Sequence, residues 1–172
     1  MKYGRIFAFL VALIVAVADH ITKVMIQHAM NSFDIIPVIP GLLRLVHTEN
    51  PGAAFGVLAE GNPMVRKTVL IGISFAVLCF VVSALWSRNN SYAALPTRFG
   101  LGLILGGALG NLYDRVVHGT VTDFIEVFHG SWSFPAFNVA DSAISIGAAL
   151  ILFEMLRSGR KRREVINVSQ TH

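Results

Sequence analysis

The sequence predicts an all-α membrane protein with four transmembrane helices and a small extracytoplasmic β-containing platform. Apolar residues make up 54% of the chain, charged residues only 14%, and the mean hydropathy is +0.63. These values lie well away from the averages of soluble proteins. The apolar residues also fall into four blocks of about 20, enough to cross a hydrocarbon core of ~30 Å. The blocks are 6–26, 68–86, 99–117 and 136–156.

The length of 172 residues fits one domain, so 1–172 is interpreted as a single integral membrane domain. The first apolar block resembles a cleaved signal peptide only superficially. It is longer than a typical h-region, lacks an A-x-A-like cleavage site and contains Asp19, so we interpret it as a retained first helix. Cys79 is the single cysteine, which excludes an internal disulfide.

Basic residues are distributed unevenly around the four blocks. Nine Lys and Arg residues lie in the N-terminal segment, in the link between the second and third blocks, and in the tail 157–172. The loop 27–67 holds three and the loop 118–135 holds none. The positive-inside rule therefore places both termini in the cytoplasm and the two loops outside. The basic tail is interpreted as an anchor at anionic lipid, and no nucleic-acid partner is expected.

The first outer loop, 27–67, contains three short apolar runs separated by Pro and Gly residues, a pattern typical of strands and turns. We therefore expect a strand-containing platform on the outer membrane surface. The runs are Ile35–Ile39, Leu42–His47 and Ala53–Leu58. Between them, Thr48–Gly52 has the composition of a turn, so Asn50 taken alone is a turn residue.

The stretch Gly106–Ser142 contains two aspartates, Asp123 and Asp141, between segments apolar enough for a bilayer. An ionisable group at membrane depth is costly to desolvate and therefore indicates a functional site. From its loop alone, Asp123 would be a solvated carboxylate within the strand-like run Thr120–Ile125. Three further polar residues lie at helical spacings nearby: Asn111, Arg115 and Asn138.

Structural alternatives remain open for several of these polar residues. Asp19 and Lys23 are four residues apart on one helix face and predict a local ion pair as readily as a site role for Asp19. Asp114 and Arg115 are equally compatible with an interface salt bridge. Asp141 is a possible helix cap, although its place about five residues into the apolar block argues against that role.

Depth in the membrane favours a common site for three of these residues. Asp19 lies about seven residues before the outer end of the first block, and Asn111 about six before that of the third. Asp141 lies about five residues after the outer start of the fourth block. At 1.5 Å per residue, all three lie roughly 8–11 Å below the outer boundary. Helices that run in alternating directions therefore place these polar groups in one layer.

Two carboxylates that face each other cannot both ionise cheaply, so one keeps a proton while the other acts as a base. This pattern predicts peptide hydrolysis by an aspartic dyad. The sequence contains no H-E-x-x-H motif or Cys/His ligand spacing, no G-x-S-x-G motif and no phosphate-binding glycine loop. We therefore expect no metal and no cofactor.

Five motifs that occur in order along nearly the whole chain resemble those of the lipoprotein signal peptidase (signal peptidase II) family of bacterial inner membranes. They are Asp19–Lys23, Asn50–Gly56, Gly106–Arg115, Gly119–Phe124 and Phe137–Asp141. The chain departs from the usual pattern of that family at His20, Pro51 and Thr122, and none of these departures removes a catalytic group.

The resemblance implies an aspartic endopeptidase of the inner membrane, with its active site near the periplasmic face. It implies removal of signal peptides from prolipoproteins by a cut N-terminal to a diacylglyceryl-modified cysteine, contact with membrane lipid, and inhibition by globomycin. Position by position, Asp123 and Asp141 match the catalytic pair. The positions that match the supporting polar residues are Asp19, Asn50, Asn111, Arg115 and Asn138.

Two other classes of protein share parts of this pattern. A small proton-coupled transporter would also place carboxylates in a membrane layer, but transporters usually have more spans, internal repeats and a midplane site. A non-catalytic assembly factor would explain the glycine-rich third block, but not the common depth of the polar residues. Cleavage of a lipid-modified prolipoprotein by the purified protein separates these classes.

The charge distribution generates a topology prediction. Reporter fusions after Arg163 should report a cytoplasmic position, and fusions within 27–67 an external one, because translocating the basic segments is unfavourable. Reporter activity in cells measures both. An external C-terminus would contradict the proposed orientation.

Overall fold

The computed structural model describes residues 2–52, 62–87, 92 and 94–169, with side chains described between residues 3 and 159 of these ranges. Each helix covers most or all of one of the four apolar blocks, and the strands come from the loops 27–67 and 118–135. In chain order the elements are α1 Lys2–Ala29, β1 Ile35–Ile39, β2 Leu43–Asn50, α2 Pro63–Trp86, α3 Leu95–Val117, β3 Val121–His129, β4 Trp132–Ser133 and α4 Val139–Ser169.

Three helices in the described ranges are long and apolar enough to cross a membrane, namely Tyr3–Ala29, Pro63–Trp86 and Val139–Gly159. The prediction of four spans is therefore confirmed by composition for three of them. α3 has 23 residues, which is long enough, but it is less apolar. The reason is burial: α3 packs against α1, α2 and α4, so much of its surface faces protein rather than lipid and accommodates glycine and polar residues.

Glycines on two faces of α3 let the neighbouring backbones approach closely, and Gly102, Gly106 and Gly110 have the small-xxx-small spacing typical of such contacts. A Cβ atom added at Gly106 would lie 2.5 Å from the carbonyl oxygen of Ala12 on α1. A Cβ atom added at Gly100 would lie 2.8 Å from the carbonyl oxygen of Gly147 on α4. α3 is therefore held between α1 and α4 at distances that only glycine permits.

The apolar core of the helical bundle lies where α1, α2 and α3 meet. Its buried residues are Ala8, Ala12, Val81, Ala84, Leu85, Leu101 and Leu105. In contrast, large apolar side chains such as Leu13, Phe75 and Phe153 are more than half exposed on the outward faces of α1, α2 and α4. Helices that are apolar on both their packed and their outward faces are typical of membrane spans.

The strands form one antiparallel sheet in the order β1-β2-β3-β4, which confirms the β-containing platform. The sheet joins two segments that are distant in the chain, because β2 of the first outer loop pairs with β3 of the second. The last turns of α1 support it through a second apolar cluster of Ile26, Met30 and Phe124. The sheet is thereby attached to the ends of the helices.

The structure corrects one prediction within the loop 27–67. Thr48–Gly52 was expected to be a turn, but β2 continues through Asn50, because Thr48, Glu49 and Asn50 all pair with β3. The chain turns only after this strand. The predicted apolar run Ala53–Leu58 lies outside the described residues.

The fourth helix begins later than the predicted boundary at residue 136. Phe137 is instead held against β3 by two backbone hydrogen bonds with Ile125, of 2.8 and 3.0 Å. α4 therefore begins only at Val139. This correction moves Asp141 from the interior of the predicted span into the first helical turn.

The close approach of α3 to α1 can be tested with Gly106→Ala. The added methyl group would meet the Ala12 backbone, which cannot rotate away as a side chain can, so we expect a loss of about 1–3 kcal/mol of stability. Thermal unfolding of the purified protein in detergent measures this loss.

The matched control is Gly72→Ala in α2, where an added Cβ atom meets nothing within 4 Å. Because alanine is the better helix former by ~1 kcal/mol, this variant should be at least as stable as the original chain. Equal melting temperatures for the two variants would contradict the close packing of α3.

Candidate active site

Asp123 lies in β3 and, contrary to the expectation for a loop residue, is only 3% exposed. Its two carboxylate oxygens accept hydrogen bonds from Asn138 Nδ2 at 2.7 Å and from Asn50 Nδ2 at 2.9 Å. Burial raises the pKa of Asp123 to about 6, the nearby Asp141 carboxylate raises it as well, and the two amide hydrogen bonds oppose the shift. Asp123 is therefore a carboxyl group that retains its proton more readily than a solvated one.

Asp141 occupies the first turn of α4 and forms a reciprocal cap with Asn138. Asn138 Oδ1 accepts a hydrogen bond from the Asp141 N–H at 2.9 Å, and Asp141 Oδ2 accepts one from the Asn138 N–H at 3.4 Å. This arrangement is a capping box, which satisfies two backbone donors at the helix start. The position of Asp141 within the predicted apolar block argued against a capping role, and that prediction is therefore wrong. Capping also fixes the position of the Asp141 carboxylate.

Asn138 connects the two aspartates directly. Its side chain, which is fully buried, donates to Asp123, and its backbone N–H donates to Asp141. The same side-chain nitrogen lies 3.3 Å from Asn111 Oδ1. Asn138 thus links β3, α3 and α4 in one hydrogen-bond network.

Asn111 on α3 holds the second carboxylate. Its Nδ2 donates to Asp141 Oδ1 at 2.8 Å, and its Oδ1 accepts from Lys23 Nζ at 2.9 Å. The side chain is 4% exposed. Sequence spacing predicts Asn111 beside the site but not this contact to α1.

Asn50 lies at the end of β2. It is both a turn residue and a supporting residue of the site, the two roles considered from the sequence. Its Oδ1 accepts a hydrogen bond from the Gly52 N–H at 2.9 Å, which is the backbone contact of a turn asparagine. Its Nδ2 donates to Asp123. The turn therefore aims the amide at the buried carboxylate.

Asp19 does not line the cleft that contains the two carboxylates, yet it contacts the residues that do. The ion pair with Lys23 is present, with Nζ and Oδ2 2.7 Å apart. Asp19 Oδ1 also accepts the backbone N–H of Ala140 at 2.9 Å. Asp19 thus anchors the first turn of α4 to α1.

The salt bridge between Asp114 and Arg115, which the sequence left open as an alternative, is not formed, and Asp114 pairs with Lys23 instead. Asp114 Oδ2 lies 2.7 Å from Lys23 Nζ, at an angle that makes the contact an ion pair rather than an aligned hydrogen bond. Arg115 turns instead toward the cleft, where its Nη1 donates to the Asn111 carbonyl at 3.4 Å. Its buried Nε has no hydrogen-bond partner within the described part of the chain.

The side chains meet at a cleft of about 1130 Å³ between β2, β3 and α4. Asp123, Asp141, Asn50 and Arg115 supply its polar side, and an apolar wall faces them. The wall consists of Val121, Phe134, Pro135, Phe137, Ile144 and Ile146. Such a combination of a few polar groups with an apolar lining is typical of a ligand site.

A second polar network supports β3 and was not foreseen from the sequence. Thr122 Oγ1 accepts from Gln27 Nε2 at 2.7 Å and donates to Glu49 Oε1 at 2.9 Å. His47 Nε2 contacts the same Glu49 oxygen at 3.2 Å. The unusual threonine therefore ties the strand that carries Asp123 to both α1 and β2.

The comparison with known proteins agrees with this architecture. Residues 11–157 match the family described as signal peptidase (SPase) II. The chain is 38% identical over 162 residues to the lipoprotein signal peptidase of Solibacter usitatus, covering 94% of this chain and 96% of that protein. It is 42% identical over 173 residues to that of Pseudomonas syringae pv. tomato, covering 95% and 93%.

Two solved structures of bacterial membrane enzymes share the fold. One, determined by the in meso method at 2.3 Å resolution, superposes with a TM-score of 0.79 at 34% identity and covers 89% of each chain. The other, at 1.9 Å, gives a TM-score of 0.74 at 35% identity, covering 87% of this chain and 92% of that one. On the family match and these relatives, the chain belongs to the signal peptidase II family.

Proposed function

We propose that this protein is a membrane aspartic endopeptidase that removes signal peptides from prolipoproteins. The cut would lie N-terminal to a cysteine that carries diacylglycerol. The observation that carries the proposal is the connection through Asn138, which contacts Asp123 and Asp141 at once in a cleft large enough for a peptide. The relatives named lipoprotein signal peptidase support the substrate class and give no support to the transporter alternative.

The chemistry requires one ionised and one protonated carboxyl group. The carboxylate takes a proton from water while the water oxygen bonds to the scissile carbonyl carbon, and the carboxylic acid gives its proton to the carbonyl oxygen. The resulting gem-diol then loses its C–N bond. The amine leaves with the proton taken from water, and a diol proton returns to the second aspartate. Water is consumed, and both carboxyl groups regain their starting states.

The lining of the cleft suits a lipid-modified peptide. Asn50 and Arg115 offer donors to peptide carbonyl groups, and the wall of Phe134, Phe137 and Ile146 offers an apolar surface to acyl chains. We extend the proposal to globomycin, a cyclic peptide that would occupy the same cleft. No group of three or more His, Cys, Asp or Glu residues suited to a metal ion occurs among the described residues.

The membrane setting is part of the same proposal. α3 would be the fourth span, shielded from lipid by the other helices. The protein would lie in the bacterial cytoplasmic membrane with both termini inside and the sheet and cleft near the periplasmic face. The distribution of basic residues supports this orientation.

The dyad predicts that Asp123→Asn and Asp141→Asn each reduce cleavage by about 10²–10⁴-fold or more, because an amide cannot exchange the proton. The double variant should be little worse than either single one, since the pair acts as a unit. Turnover of a diacylglyceryl-modified prolipoprotein in detergent, with EDTA and without nucleotide, measures this.

The matched control is Glu126→Gln on the same strand. Glu126 pairs with Arg44, away from the residues that line the cleft, so turnover should remain near the original level. Asn50→Ala and Asn138→Ala should retain reduced but measurable turnover. Cleavage near the original rate in Asp123→Asn, or loss in EDTA that a divalent ion restores, would contradict the dyad.

The raised pKa of Asp123 predicts a stability cost at neutral pH. The folded pKa of about 6 exceeds the ordinary value of 3.8, so folding favours the protonated form. The associated stability is present below pH ~4 and is lost as the pH rises to about 6. Relative to the original chain, Asp123→Asn should therefore have an unfolding free energy that is higher at pH 8 than at pH 4, by about 1–3 kcal/mol. Melting temperatures at both pH values test this.

Glu126→Gln provides a control of opposite sign. A hydrogen bond from Arg44 lowers the pKa of Glu126, so the ionised form stabilises the fold, and its loss should lower the melting temperature at pH 8. If the melting temperatures of Asp123→Asn and of the original chain differ by the same amount at both pH values, the burial of an ionisable Asp123 is not the source of the difference.

A further inference from the structure

Lys23 is a buried cation adjacent to the candidate active site, and the proposed chemistry assigns it no role. Its side chain is 3% exposed, and its ammonium group donates hydrogen bonds to Asp19 and Asn111 and forms an ion pair with Asp114. Nζ lies 2.7 Å from Asp19 Oδ2, 2.7 Å from Asp114 Oδ2 and 2.9 Å from Asn111 Oδ1. Two carboxylates already balance its charge, yet the third contact goes to a neutral amide.

The contact with Asn111 determines which way that amide points. An ammonium group has donors only, so the atom of Asn111 that faces Lys23 must be the oxygen. The nitrogen then necessarily faces Asp141, where it donates to Oδ1 at 2.8 Å. A donor in this position favours the ionised form of a carboxyl group over the protonated form. The charge of Lys23 thus acts on Asp141 through the orientation of one side-chain amide.

The two aspartates differ in their surroundings. Each carboxylate accepts two N–H groups, Asp141 from Asn111 and Asn138 and Asp123 from Asn50 and Asn138. The difference lies in burial, because Asp141 is half-buried and Asp123 is almost fully buried in the sheet. The charged groups around Asp141 are Asp123 on β3 and Arg115 on α3, with Lys23 on α1 acting through Asn111. Arg115 lines the cleft with both carboxylates, and its charge interacts more strongly with Asp141 than with Asp123, so it acts in the same direction as Lys23.

We infer that Lys23 is a positioning residue: by fixing the Asn111 amide, it keeps Asp141 as the ionised member of the pair and thereby the base that accepts the proton from water. Asp123 is then the acid that protonates the carbonyl oxygen. This assignment of roles rests on the proposed function and deepens it. Lys23 does not line the cleft, so it contacts neither substrate nor water there.

Without Lys23, only the 3.3 Å contact with Asn138 Nδ2 still holds the Asn111 oxygen in place, so the amide can more readily turn its oxygen toward Asp141. That orientation favours a protonated Asp141, which cannot accept the proton from water. We expect Lys23→Met to lower kcat by about 10- to 100-fold, the range for residues that orient a reacting group, with KM changing less than about threefold. The acidic limb of the kcat/KM profile should move to higher pH.

A purely structural role is tested with a charge-compensated variant. The formal charge of the Asp19, Lys23 and Asp114 cluster changes from −1 to −2 in Lys23→Met and returns to −1 in Lys23→Met/Asp114→Asn. The double variant should recover most of the melting temperature, yet keep the low kcat and the shifted pH profile. The double variant also serves as the test if Lys23→Met alone does not insert into the membrane. Recovery of kcat together with the melting temperature would overturn the inference.

Coupling provides the second test. Because Lys23 acts through Asn111, adding Lys23→Met to Asn111→Ala should lower kcat less than about twofold further, whereas independent effects multiply. A full additional 10- to 100-fold loss would overturn the inference. Asp141→Asn, assayed in parallel, separates the two hypotheses. If it cleaves normally, the proposed function fails, whereas original kcat in Lys23→Met with an inactive Asp141→Asn rejects only the role of Lys23.

Discussion

Ionised and amide groups removed from water must find their hydrogen-bond partners inside the protein, and this constraint organises the junction of α1, α3, α4 and the sheet. Asp19, Lys23, Asn111, Asn138 and Asp123 are each less than 5% exposed. Each is joined to at least one of the others by a side-chain hydrogen bond. Because a partly satisfied network would cost more than an apolar core, the elements that carry these groups are held in one arrangement.

The glycines of α3 make this junction possible. Lys23 on α1 donates a hydrogen bond of 2.9 Å to Asn111 on α3 at the end of a segment in which the two helices run close together. Gly102, Gly106 and Gly110 provide that approach on the α1 side, where added side chains would meet Ala8, Ala12 and Asp19. The polar residues lie at the end of the same helix. Backbone packing and site geometry are therefore two consequences of one stripe of small residues.

The sheet contributes what helices alone would not. β3 buries Asp123 against the bundle, and the pairing of β2 with β3 places Asn50 opposite Val121, close enough for its amide to reach the carboxylate. Burial makes the Asp123 carboxyl group costly to ionise, whereas Asp141, in the capped first turn of α4, is only half-buried. Under the proposed function, this difference in burial between two identical side chains allows one to act as an acid and the other as a base.

Local pattern in the sequence determined the apolar helices, the strand-like runs, the glycine stripe and the polar residues that surround the cleft, because each depends on spacings of two to four residues along one element. It also determined the pair of Asp19 and Lys23, four residues apart. Only the tertiary structure decided the capping box, the burial of Asp123 and the attachment of Lys23 to Asn111, 88 residues away. The capping box depends on where α4 begins, which the pairing of Phe137 with β3 decides. The contact between Lys23 and Asn111 depends on the packing of α1 against the glycines of α3. No local spacing in the sequence encodes either feature.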